Sequence, residues 1–107
     1  MYKIVRVLKT VHHVWQEWAI GIHRCPAVRA LETQHGSNWR NTATEKRYYF
    51  RRKLIIDRVL AIVQQENVSH QLVVCVLETH RTQEHLTIYA LSDSLHKDQL
   101  VKHNWDY

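Results

Sequence analysis

Residues 42–65 read TATEKRYYFRRKLIIDRVLAIVQQ, and the fold turns on how this stretch is read. Thr42 and Glu45 stand at the T-x-x-E spacing of a capping box, in which the first side chain satisfies free amides of the opening turn. A helix is therefore predicted from about residue 43 to about Gln65. Tyr48, Tyr49, Ile55, Ile56, Val59, Leu60 and Val63 fall on one broad face of it. A helix with so wide an apolar face must be covered by other elements.

The flanking sequence supplies them. Upstream, Thr10 is placed to cap a helix whose stripe is Val11, Val14, Trp15, Trp18 and Ile22, with Gly21 as its stop. A shorter helix follows, with Pro26 expected at its first position, Val28 and Leu31 facing inward, and Gly36 ending it. Downstream, residues 72–77 (LVVCVL) form an apolar run whose periodicity fits a buried strand or a buried helix equally. Ser69 as an N-cap favours the helix, and a lone strand would lack a partner. Ile88, Leu91 and Leu95 recur at 3–4 spacing, so two more helices are predicted, at about 69–82 and 87–101.

Two glycines and one proline are too few for the turns of a hairpin-rich protein. The predicted fold is all-α: a compact helical bundle with a three-helix, helix-turn-helix-like core and one or two C-terminal helices. Residues 1–66 are read as the core and 67–107 as a helical extension of the same domain, and 107 residues leave no room for a second one. No apolar run is long enough to span a membrane, and the opening residues lack a signal peptide's apolar stretch. Cys25 and Cys75 show no pairing motif, which fits a reducing compartment.

The formal charge of +5 is uneven. Residues 1–66 carry +7 and residues 67–107 carry −2, the asymmetry expected of a polyanion-binding part beside a supporting part. Arg40, Lys46, Arg47, Arg51, Arg52, Lys53 and Arg58 place seven cations within nineteen residues, against Glu45 and Asp57 alone. Most lie on the third helix, where a helix-turn-helix protein carries the element that enters the major groove. At about 100° per residue, Arg47, Arg51 and Arg58 fall within about 40° of one another beside the apolar face, and Lys46 and Lys53 flank its other side. The planar fork of arginine suits guanine O6/N7 or a phosphate.

Arg52 falls near the middle of the apolar stripe instead. A buried guanidinium needs a partner, and Glu17 or Glu32 can supply one, so a structural ion pair is expected there. Phe50 and Leu54 point outward; they are expected to pack under the C-terminal helices, the alternative being contact with thymine methyls. Trp15, Trp18 and Trp39 are read as core or near-core, with Trp39 placed to clamp the connector onto the third helix and present Arg40 to a phosphate. Among nine histidines none has metal-ligand spacing, so neither a metal nor any other cofactor is expected. No nucleophile motif, phosphate loop or carboxylate pair appears, so an enzyme is not expected.

These residues resemble the C-terminal DNA-binding domain of the fungal transcriptional activator of glycolytic genes, shared by yeast regulators of osmotic-stress and filamentation genes. The resemblance is carried by Arg6, Thr10-Val11, Val14-Trp15, Glu17-Trp18, Gly21, Pro26, Leu31-Glu32, Gly36, Trp39-Arg40 and the block Tyr49-Phe50-Arg51-Arg52-Lys53, covering roughly residues 2–66. It implies sequence-specific binding to double-stranded DNA at a short core containing CTTCC, control of RNA polymerase II transcription in the nucleus, and partners among other transcription factors. It transfers Trp39-Arg40 and Arg51-Arg52-Lys53 as functional positions, which for Arg52 stands beside the ion-pair reading. Characterised members are long proteins with this domain near the C-terminus, whereas here it begins almost at Met1. The competing class is a helical interaction module whose cations meet an acidic protein; RNA binding through Tyr48, Tyr49 and Phe50 ranks third.

Overall fold

The computed structural model describes residues 8–22, 25–40 and 42–100, with side chains to residue 97. Five helices make up the described part: α1 (Val11–Ala19), α2 (Val28–His35), α3 (Ala43–Glu66), α4 (His70–Gln83) and α5 (Ile88–Leu100). No strand occurs among the described residues, and the all-α expectation holds. The part of the expected last helix beyond residue 100, and Arg6 of the resemblance, lie outside the described residues.

Three helices start on the side-chain caps read from the sequence. Thr10 accepts from the His13 amide at 3.1 Å, Thr42 from Glu45 at 3.1 Å and Ser69 from Leu72 at 3.2 Å. Each relieves one of the amides that a helix start leaves unbonded. α3 ends where Asn67 adopts φ 52° and ψ 47°, the left-handed conformation asparagine tolerates better than most residues. The apolar run at 72–77 is helical, inside α4.

α2 begins two residues later than expected, at Val28 with Ala27 as its uncapped N-terminal neighbour. Gly21 explains the shift. Its φ is +102°, and a Cβ there would lie 2.1 Å from the Cys25 carbonyl oxygen. The chain folds back directly over Gly21, so Cys25, Pro26 and Ala27 are used in that turn and not in the helix.

α3 is the spine, packed against α1, α4 and α5, while α2 packs on α1. The main core joins Val11 and Val14 of α1, Ile55, Ile56, Val59 and Ile62 of α3, Val73, Val74 and Leu77 of α4, and Leu91 and Leu95 of α5. A second cluster, Val28, Leu31, Trp39 and Tyr49, fastens α2 and the connector to the start of α3, with Trp18 touching both. Leu60, expected inside, is 42% exposed, and Ile62 takes its place. The buried residues of α3 follow each other mostly at intervals of three, so the stripe drifts around the helix by about 60° at each step. Its first buried residue, Tyr49, packs with α2, and its later ones join the core with α1, α4 and α5.

The turn between α4 and α5 is tied to the start of α1. Glu78 accepts from the Val11 amide at 3.0 Å and from Arg81 at 2.6 and 2.7 Å, and Arg81 donates to the Leu86 carbonyl at 2.8 Å. The Arg81 hydrogen bond, aided by that of Val11, holds the Glu78 carboxyl below the usual carboxylate range, although burial opposes it.

Candidate nucleic-acid interface

The seven cations separate by environment. Arg52 is 6% exposed and Glu17 of α1 is 2% exposed. One guanidinium nitrogen of Arg52 donates to both Glu17 carboxylate oxygens, at 2.9 and 3.0 Å. Of the two partners open in the sequence, Glu17 is the one in place. Arg52 is thus an interior residue, and its position in the stripe is occupied by a charge pair.

Glu32 holds the connector instead. It accepts from the Trp39 indole at 3.0 Å and from the Arg40 guanidinium. Trp39 is buried and meets Tyr49 edge-on, with centroids 5.8 Å apart. The guanidinium of Arg40 lies 4.0 Å from the Tyr49 ring centroid. The clamp expected of Trp39 is therefore built, but Arg40 is turned onto Glu32 and Tyr49. The Glu32 hydrogen bond keeps Arg40 more firmly protonated than usual, and burial raises the Tyr49 hydroxyl above its ordinary range.

Lys53 pairs with Asp57 at 2.6 Å and lies 5.3 Å from the Trp18 ring. Arg58 donates to the Leu95 carbonyl at 3.3 Å, anchoring α5. Arg51 is half-buried, its guanidinium 4.0 Å from the ring centroid of Tyr89 on α5. Lys46 and Arg47 are exposed, with no ion pair among the described residues. Phe50 is 58% exposed and is not packed under the C-terminal helices, as had been expected of it; its ring meets the edge of Tyr49 at 5.4 Å. Tyr49 occupies the inward side of this turn, so Phe50 faces outward with Lys46 and Arg47. Leu54, one turn further on, is half-buried.

The outer side of the first half of α3 thus carries Lys46, Arg47 and Phe50, with Arg51 on its flank. Tyr49 and Arg52 fix the inner side of the same turns. The contact of Tyr89 with Arg51 was not visible in the sequence, because a contact between helices so distant in the chain leaves no local spacing.

A family model described as transcriptional activator of glycolytic enzymes matches residues 2–81, well over half of the chain. The chain belongs to this family. The match runs past residue 66 and takes in most of α4, in keeping with the packing of α4 on α1 and α3. The transcription factor-like protein EUC1 of Saccharomyces cerevisiae is 34% identical over 61 residues, which cover 57% of this chain and 13% of that protein. The chain thus corresponds to a small part of the curated relative it matches. No solved structure matches. The family is one of transcription regulators and not of enzymes. Among the described residues no helix is long and apolar enough to cross a membrane.

Proposed function

We propose that this domain binds double-stranded DNA sequence-specifically and regulates RNA polymerase II transcription in the nucleus, with the first half of α3 in the major groove. The observation that carries the reading is the pair Lys46 and Arg47. Both are exposed on a helix whose opposite side is fixed by Tyr49 and by the Arg52–Glu17 bond. A rigid helix with uncommitted cations on its outer side suits the width of the groove and the chemistry of phosphates and guanine edges.

The roles divide by environment. Arg47 and Arg51 reach for base edges, Lys46 for a phosphate, and Phe50 for a thymine methyl. Arg40, Arg52, Lys53 and Arg58 hold the frame that presents them. The uneven charge of the chain, positive up to residue 66, supports a polyanion as partner, and membership of a transcription-regulator family supports DNA.

Selection of bound sequences from a random duplex library tests this directly. An enriched motif is expected, with affinity falling steeply between about 50 and 200 mM salt as phosphate contacts release counterions. Retention of no sequence over random duplex at about 0.15 M salt would leave an acidic protein as the partner of this face.

A further inference from the structure

Arg40, Arg51, Arg52 and Lys53 all lie near aromatic rings, but among the described residues Arg51 has a ring and no carboxylate or carbonyl partner. Arg40, Arg52 and Lys53 are held by carboxylates and Arg58 by a main-chain carbonyl, so N–H donors are committed in each. Arg51 is held against a ring, with its guanidinium carbon 4.0 Å from the Tyr89 centroid. A guanidinium that rests on an aromatic ring by its flat face leaves its N–H groups pointing outward in the plane. Among the described residues none of the Arg51 donors has an acceptor. The side chain is restrained and yet chemically unspent.

The ring is itself well supported. Tyr89 is the second residue of α5, and Leu91 and Leu95 of that helix are buried against α3. Ser92 donates to the Tyr89 carbonyl at 2.8 Å. Tyr89 is 55% exposed, so its ring forms a shelf beside Arg51 and is not a core filler. Arg51 follows Arg47 by one helical turn and about 40°. The shelf therefore stands beside the outward face of α3, next to its exposed cations.

We propose that Tyr89 is a positioning residue for DNA recognition: it holds the Arg51 guanidinium by its face so that the free edge addresses O6 and N7 of a guanine. The proposal rests on the DNA-binding reading given above. α5 then contributes to sequence readout without touching DNA itself. Fixing a long side chain before binding removes part of the ordering loss on association, which corresponds to about 2- to 10-fold in affinity.

The test uses the full 107-residue chain, a duplex bearing the selected motif, and copies of it in which each guanine in turn is 7-deazaguanine, which carries C–H in place of N7. The wild type is expected to lose affinity by about 5-fold at one guanine, as one of two paired acceptors is removed. Tyr89→Phe keeps that sensitivity. Tyr89→Ala loses it and binds the motif about 2- to 10-fold more weakly, with random-duplex affinity unchanged. Arg51→Ala loses it with the ring intact. Because Tyr89 is largely exposed, circular dichroism should show both Tyr89 variants folded.

A wild-type sensitivity profile in Tyr89→Ala overturns the proposal, as does a wild type insensitive at every guanine of its motif. In both cases DNA binding itself stands. A chain that selects no motif removes the DNA reading and this proposal together.

Discussion

Arg52 of α3 and Glu17 of α1 form a two-bond ion pair at 2.9 and 3.0 Å in the interior, where all neighbouring positions of the stripe are apolar. The pair lines a small cavity together with Val14, Trp18, Val28, Tyr49, Lys53 and Ile56. Two charges in such surroundings are stabilised by their mutual hydrogen bonds.

Removing one partner leaves an uncompensated buried charge. Arg52→Ala and Glu17→Ala are each expected to lower the unfolding free energy by about 3–5 kcal/mol in urea titrations. The double replacement Glu17→Leu/Arg52→Met should recover most of that loss, since apolar substitutes of similar volume are often neutral at such sites. If DNA binding persists in the double variant, Arg52 serves the frame and not the bases. Loss of binding in a stable double variant would make Arg52 a contact residue.

Arg47 and Lys46 should behave in the opposite way. Their replacement by alanine is expected to change stability by no more than about 0.5 kcal/mol, as for exposed positions generally. Arg47→Ala should weaken binding to the selected motif by about 1–3 kcal/mol and relax one base position. Lys46→Ala should weaken motif and random duplex alike and reduce the salt slope by about 1. Competition binding at two salt concentrations separates the two outcomes.

Glu78 makes the stability pH-dependent. Its carboxyl sits below the usual range in the folded chain, chiefly through the Arg81 hydrogen bond, so the unfolded chain binds the proton more readily. The stabilisation is present above the unfolded value of about 4.3 and is lost as pH falls through the lower folded one. Glu78→Gln should cost about 1–2 kcal/mol at pH 7. That difference should shrink below about pH 4, as followed by urea melts across pH.

The two glycines should respond unequally to alanine. Gly36 has φ +58° but open space around it, so Gly36→Ala is expected to cost about 1 kcal/mol from conformation alone. At Gly21 the added Cβ would meet the Cys25 carbonyl at 2.1 Å, a backbone atom that cannot move aside cheaply. Gly21→Ala should therefore cost clearly more, at least about 2 kcal/mol, because the turn into α2 must open.

Most of the fold was legible because its helices announce their own ends. Thr10, Thr42 and Ser69 each cap by contacts within one turn, and Gly21 and Gly36 mark stops through their own backbone angles. Ser69 also decided the ambiguous 72–77 run. Arg52 was legible as an interior charge from helical angle alone, yet Glu17 and Glu32 were equally placed as partners. Only the packing of α1 beside α3 chooses between them. The same limit explains Leu60 and Ile62. A fixed stripe is assumed when one sequence is read, whereas the real stripe follows whichever helices cover each part of α3. Phe50 was placed on the outer side by angle, but whether a later helix covers that spot is not encoded near it. Arg51 and Tyr89 meet across a distance in sequence at which no spacing rule operates.

Leu91 and Leu95 of α5 are fully enclosed, and they close the core over Ile55, Val59 and Ile62. The stretch shared with the family ends at residue 81, within α4. A fragment trimmed to that shared stretch would bare a strip of isoleucine and valine along α3 and would be prone to stick to itself. Cutting the chain at residue 81 is therefore expected to lower its solubility, and a boundary placed after α5 to restore it.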